Sequence, residues 1–393
     1  MYSPQSLHDL LFLLLYGGVT MLALLAGVYL ALRRHNGFSS DVIPPVALRR
    51  WTAAFLVMAA LSHVWWYVLG IYWLTDDRLV RNIVAVTLDH VLLVPLVIAL
   101  LLRMLQDRRR RLWPWVLTQV PIALSAAVGI IMHDAFYGFD LPTYWQVAVM
   151  ALFLLYYIRA LLQYGRWLHD NYADLEHKEV WQSLLFVIAL FVIYETYFTN
   201  PGEMAREYLS QFFTIAIVAF LVWRVENLQQ LDDSEECADE APSEDQLVDD
   251  QPVSDDDPDA TETASKNSFL TFTIPTNIGV LLSKHCEGAK LYLQHDLTLA
   301  QLSERIGTNR TYLSSYLAQQ GITYNSYING LRIDHFEHLF LKAVASDHPF
   351  TAKQLAYKCG FRSYSTFATA FKLFKGQSVT AWMKENTPPR EEA

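Results

Sequence analysis

The sequence predicts an all-α protein in three parts: a seven-helix transmembrane bundle (residues 1–230), a disordered acidic linker (231–267) and a C-terminal double helix-turn-helix domain (268–393). Three observations carry this prediction. Seven apolar segments between Leu7 and Leu228 each approach the length that a helix needs to cross a bilayer. The stretch from Leu231 to Lys266 is acidic and almost free of large apolar side chains. Between Leu291 and Trp382 one helix-turn-helix pattern occurs twice.

Charge is partitioned in the same way. Residues 1–231 hold 16 Lys/Arg and 16 Asp/Glu, residues 232–262 hold 15 Asp/Glu and no Lys/Arg, and residues 268–393 hold 13 Lys/Arg against 9 Asp/Glu. The net charge of −10 therefore belongs to the connector, and the C-terminal part is mildly basic. A basic excess suits nucleic acid only when it is gathered on one face. The cysteines, Cys237, Cys286 and Cys359, show no C-x-x-C spacing, so neither a disulfide framework nor a zinc site is expected.

The seven apolar stretches are 8–33, 50–74, 82–105, 112–132, 143–165, 179–199 and 206–228. The N-terminus lacks the basic n-region of a cleavable signal, and the run from Leu10 to Leu32 is too long for an h-region, so it is read as a retained first span. Basic residues set the orientation. Arg33, Arg34, Arg49, Arg50, Arg103, Arg108 to Arg111, Arg159, Arg166, Lys178 and Arg224 flank the spans on one side, against Arg78, Arg81 and Arg206 on the other. This asymmetry places the N-terminus outside and everything after Leu228 in the cytoplasm. Ten of the eleven Trp lie in this half, many at segment ends such as Trp51, Trp113, Trp167 and Trp223, as an interfacial belt requires. Pro95, Pro114 and Pro121 are candidate kinks in spans 3 and 4.

Ionisable groups inside the spans are costly and mark candidate sites. His63 lies about 12 residues into span 2 and Asp89 and His90 about 8 residues into span 3 from the other side, which at about 1.5 Å per residue puts them near one level. Glu195 falls close to it, with His133 and Asp134 in an outer loop. Two readings stay open. One is an outward-opening polar pocket in which His63, Asp89, His90 and Glu195 sense a ligand; the other is a His–Asp pair that fixes helix packing. No H-x-x-x-H spacing supports a metal, no cofactor is expected, and no hydrolase, Walker or redox motif points to an enzyme in the membrane half.

The connector cannot bury enough surface to offset chain entropy, so disorder is expected. A flexible coil of this length has its ends roughly 30–35 Å apart, and self-repulsion extends it further. It is either a solubilising spacer or an autoinhibitory tract competing with phosphate for a basic face.

The C-terminal part is the most specific. LTLAQLSERI has the i, i+3, i+4 apolar spacing of a short helix, Gly307 breaks it, Asn309 caps the next helix, and NRTYLSSYLAQQ follows before Gly321. The second copy is KQLAYKCG then FRSYSTFATAFKLFKG. Leu302, Ser303, Ile306 and Gly307 align with Leu355, Ala356, Cys359 and Gly360 at an offset of 53 residues, and Leu313 and Leu317 align with Phe367 and Phe371. Between the copies, SYINGLRIDHFEHLFLKAV has the period of a long helix able to set two readers about one DNA turn, near 34 Å, apart. With Leu313, Leu317, Phe367 and Phe371 facing the core, Arg310, Thr311, Tyr312 and Ser314 on the first recognition helix face outward. On the second, Arg362, Tyr364, Ser365, Thr366 and Thr369 do so, with Lys372 and Lys375 placed for phosphate. Arg reads guanine bidentately, and Ser and Thr contact bases or phosphates.

Residues 291–383 resemble the DNA-binding domain of the AraC/XylS family of bacterial transcription regulators. The resemblance rests on Ala356, Gly360-Phe361, Ser365, Phe367, Phe371-Lys372 and Gly376, and on YINGLRI from Tyr327 to Ile333. It departs from the family pattern at Val379, where proline is usual, at Met383, where a basic residue is usual, and at the YLAQQ end of the first recognition helix. It implies binding of promoter DNA and activation through RNA polymerase, while the sequence itself leaves activation and repression both open. Together with the spans, this gives the expectation of a one-component regulator in the bacterial inner membrane. Its expected partners are double-stranded promoter DNA, the lipid bilayer, an unidentified small-molecule or membrane signal and a second copy of the chain. The alternative is a membrane transporter or enzyme with an appended helix-turn-helix adaptor.

Overall fold

Helices form wherever the sequence offers apolar periodicity, and no strand occurs among the described residues. The computed structural model describes residues 7–33, 36–38, 42–70, 76–199, 203–231, 278–346 and 350–387. Apart from Leu231, the expected linker lies outside the described residues. The chain divides into two compact bodies: Met1–Trp167 with His177–Glu235, and Leu168–Glu176 with Glu236–Ala393.

The first body is built from α1 (Leu7–Leu32), α2 (Val46–Gly70), α3 (Arg78–Met104), α4 (Trp113–Leu117), α5 (Val120–Met132), α6 (Leu141–Asn171, whose last turn belongs to the second body), α7 (Gln182–Thr199) and α8 (Glu203–Asn227). A π-helical turn, Phe136–Asp140, leads into α6. Each expected apolar stretch, where it is described, therefore falls on helix. The fourth is split between α4 and α5, with Pro114 and Pro121 in the first turn of each piece, where a missing N–H costs nothing. Pro95 lies inside α3. Among the described residues, five stretches are long and apolar enough to cross a membrane: Leu10–Leu32, Arg78–Met104, Trp113–Met132, Phe136–Asn171 and Tyr208–Asn227. α7 adds a shorter described apolar helix, Gln182–Val192.

Small residues let these helices approach closely. A Cβ on Gly27 of α1 would stand 2.9 Å from Val57 and 3.1 Å from the Ala53 carbonyl of α2. Polar groups then tie the basic-flanked helix ends together. Arg33 at the end of α1 bonds Glu226 of α8 at 2.7 Å with both side chains buried, and Asn36 donates to the Glu226 carbonyl. Gln106, just after α3, donates to the Gln229 carbonyl and accepts from the Leu231 N–H. Tyr164 of α6 donates to the Lys178 carbonyl, and Arg224 of α8 to that of Glu179. A buried charge is tolerable only when paired in this way.

In the second body, α9 (Ile278–Leu281), a π-turn and a short 3-10 turn (Leu291–Leu293) precede α10 (Leu299–Ile306) and α11 (Arg310–Gln319). The long α12 (Tyr324–Ala345) leads to α13 (Ala352–Lys358), α14 (Tyr364–Lys375) and α15 (Val379–Glu385). α10 and α13 open with the same capping box, Thr298 with Gln301 and Thr351 with Gln354. α12 serves two cores. Tyr324 and Ile328 pack with Leu302, Ile306, Leu313 and Leu317, whereas Ile333, Phe336 and Phe340 pack with Leu355, Phe361, Phe367 and Phe371.

Candidate nucleic-acid interface

Each recognition helix is started by a side chain that satisfies a backbone N–H which would otherwise lack a partner. Asn309 accepts from the Thr311 N–H at 2.7 Å, and Ser363 accepts from the Thr366 N–H at 3.2 Å. The turns before them need positive φ, supplied by Gly307 at 74° and Gly360 at 88°. Gly360 has a second reason: a Cβ there would stand 2.7 Å from the Leu293 carbonyl oxygen, so the second turn fits against the first repeat only without a side chain.

Sequence reasoning missed the residue that fixes the two repeats to each other. Arg332 of α12 is 1 % exposed, between the two cores. Its Nε donates to the Tyr292 carbonyl at 2.7 Å, its Nη2 to the Gln294 carbonyl at 2.8 Å, and its guanidinium lies 5.4 Å from the Phe361 ring centroid. Burial pulls its pKa below the usual range, and Tyr324, Asp174 and Asp296 oppose that shift. The signal was an Arg flanked by Ile328, Ile333 and Phe336 on the face of α12 that the apolar period turns inward.

The expected DNA-reading residues occupy varied surroundings. Thr311 on α11 and Ser365, Thr369 and Lys372 on α14 are exposed, while Ser314 is half-buried. Tyr312 packs against the first core and Tyr364 against the second, its ring 5.8 Å from Phe367. Arg362 pairs with Asp296 at 2.9 Å in a partly exposed bridge, which costs little to exchange for another partner. Lys375 is held by Glu337 of α12 at 2.8 Å.

Two of the set are bonded to residues 168–176, which belong to the same body. Arg310 donates from Nε (3.1 Å) and Nη2 (2.6 Å) to the Asn171 Oδ1. Thr366 Oγ1 donates to Glu176 Oε2 at 3.3 Å.

Among the candidates in the first body, Asp89 on α3 accepts from Ser62 Oγ at 2.6 Å and Trp66 Nε1 at 2.7 Å, both on α2. The rings of His63 and His90 bond carbonyls of their own helices, Ala59 at 2.9 Å and Val86 at 2.7 Å. The Tyr16 ring lies 4.9 Å from the His63 ring, tilted to it by 52°. The Glu195 side chain lies outside the described residues. His133 pairs with Asp77 at 2.6 Å, which holds the Asp77 carboxyl below its usual range, and Asp134 accepts from the Phe136 N–H. No group of three His, Cys, Asp or Glu suited to a metal occurs among the described residues.

Residues 302–385 match the family model of a helix-turn-helix domain. A 94-residue stretch is 32 % identical to an uncharacterised HTH-type transcriptional regulator of Staphylococcus aureus strain MRSA252, covering 24 % of this chain and 12 % of that protein. A similar regulator of strain COL is 31 % identical over the same length and with the same coverage. The chain thus matches only about an eighth of the length of these relatives. No solved structure matches. The C-terminal quarter is accordingly a helix-turn-helix domain of the kind found in transcriptional regulators, in line with the resemblance drawn from its motifs.

Proposed function

We propose that this protein is a membrane-embedded, one-component transcription regulator that reads promoter DNA sequence-specifically with two helix-turn-helix repeats. In this reading the first 230 residues cross the bacterial inner membrane seven times with the N-terminus outside, and the C-terminal repeats lie in the cytoplasm. The observation that carries the reading is the pair of capped recognition helices, α11 and α14, joined through the single helix α12 in a chain that also holds five apolar helices of membrane-crossing length.

Arg310, Thr311 and Ser314 in the first repeat, and Arg362, Ser365, Thr366 and Thr369 in the second, approach base edges. Lys372 and the N–H groups at the helix starts bind phosphate. Tyr312 and Tyr364 brace the reading helices against the two cores and contact DNA from there. The signal enters through the spans, with His63, Asp89, His90 and Glu195 as the polar groups that receive it. RNA polymerase and a second copy of the chain are the protein partners of this scheme.

The test uses the full-length protein in lipid nanodiscs, with promoter fragments chosen from its genome-wide occupancy. Binding should fall steeply with salt as phosphate contacts release counterions. Substituting Arg362→Ala should relax selectivity at one base pair. Occupancy without sequence preference, or cleavage of the C-terminal repeats by protease added to intact cells, overturns the proposal in favour of a transporter or membrane enzyme with an adaptor module.

A further inference from the structure

Residues 168–176, LHDNYADLE, stand more than 100 positions before the repeats in sequence, yet they form part of the same compact body. Ala173 is 1 % exposed within the first core, among Leu299, Leu302 and Ile306. Tyr172 is buried and forms a β-bridge with Thr298, the capping residue of α10. From α12, the Asn325 side-chain amide donates to the carbonyls of Tyr172 (3.1 Å) and Ala173 (2.8 Å), and Asn329 donates to that of Ala173 (3.1 Å). The segment is therefore seated by buried apolar surface and by hydrogen bonds to its backbone.

From that seat it engages both recognition helices near their starts. Asn171 takes two N–H donors of Arg310 on α11, and the Glu176 carboxylate takes the Thr366 hydroxyl on α14. A guanidinium whose Nε and Nη2 point at one amide oxygen does not offer that fork to guanine or phosphate at the same time. Glu176 also sets a carboxylate at the start of α14, where phosphate would bind, so like charges oppose the approach of DNA there.

We infer that residues 168–176 are a built-in competitor of DNA: seated as here they hold the reading face closed, and DNA binding requires their withdrawal. This rests on the DNA-reading function proposed above and adds its regulation. The segment is continuous in the chain with α6, which carries one of the five membrane-length stretches. A signal that moves α6 thus has a direct covalent route to Asn171. The mechanism differs from competition by the acidic linker and needs no part of it.

The decisive experiment compares the full-length protein with its Asn171→Ala/Glu176→Gln variant, both in nanodiscs, for binding to the same promoter duplex at fixed salt. Neither substituted residue is itself a proposed base reader, and freeing Arg310 and Thr366 should tighten binding about tenfold, equivalent to about 1.4 kcal/mol. A second readout is hydrogen exchange at residues 172–176 of the unsubstituted protein. Saturating duplex should strip protection from them, whereas α12 stays protected. Equal affinity of the two proteins, or unchanged protection when duplex is bound, overturns the competitor and leaves the DNA-reading function standing. Failure of both proteins to bind any duplex overturns the function and the competitor together.

Discussion

The two helix-turn-helix repeats share a backbone plan and differ in what fills them. Both open on a Thr–Gln capping box, both turn at a glycine with positive φ, and both start the reading helix with a side-chain cap. The second repeat encloses a nearly self-sufficient aromatic cluster. Phe336 lies 4.6 Å from Phe367, and Trp382 lies 5.2 Å from Phe340 and 5.5 Å from Phe371. The first repeat is mainly aliphatic and includes Ala173, from far outside the repeat, in its core. One motif has thus been built as a fixed anchor and as a part completed by a borrowed segment. Sensitivity to regulation belongs to the second kind, because removing the borrowed segment exposes apolar surface there and not in the anchor.

The largest expected effect sets the two cores against each other. Phe367→Ala should destabilise the second repeat by about 3–5 kcal/mol, a cavity penalty for a buried aromatic. Hydrogen exchange should show lost protection in α13 to α15 while α10 and α11 keep theirs. Equal loss in both repeats would mean that the cores act as one. Next is Arg332→Leu, which leaves the Tyr292 and Gln294 carbonyls without their donor at about 1–3 kcal/mol each. Footprints on promoter DNA should shrink from two adjacent grooves to one, and an unchanged footprint would show that α12 alone sets the spacing.

Smaller differences sharpen the contrast. Arg362→Ala should cost about 1–3 kcal/mol of DNA binding at one base pair. Arg310→Ala should cost less in the full-length protein, because it removes a DNA contact and a hold on Asn171 together. Equal losses in a binding titration would contradict that asymmetry. Thr298→Ala and Thr351→Ala should each cost about 1 kcal/mol of stability as lost caps. The former should cost more if the Tyr172 bridge to Thr298 also weakens, as thermal melts of the pair would reveal. Last, each core carries one buried thiol, Cys286 pushed up to about 11 and Cys359 to about 12 by burial. Both should stay protonated and resist maleimide at pH 8. In the Asn171→Ala/Glu176→Gln variant Cys286 should label faster, with Cys359 unaltered.

The tandem repeat was legible because its signals are local. The 53-residue offset, the cap at Asn309, the breaks at Gly307 and Gly360, and the core positions Leu313, Leu317, Phe367 and Phe371 all follow from backbone conformation and helical periodicity within a few turns. The shared capping boxes were equally visible in the spacing and went unread. In the first body, periodicity and length located the helices, and Pro114 and Pro121 marked where the fourth stretch divides. Depth along a span brought Asp89 near the level of His63, but depth says nothing of rotation about the helix axis. Rotation turned Asp89 to Ser62 and Trp66.

By itself, then, the sequence determined that the chain is helical, that its first part is rich in long apolar helices, where the two reading helices begin, and that one reading motif occurs twice. These follow from propensity, capping and periodicity, all of which act over a few residues. Only the tertiary structure decided that Arg332 would fasten the repeats through two distant carbonyls, and that Asn171 and Glu176 would take up Arg310 and Thr366. Carbonyls and amides are present at nearly every position and carry no pattern. Which of them meet is settled by how the cores pack across more than a hundred residues of chain.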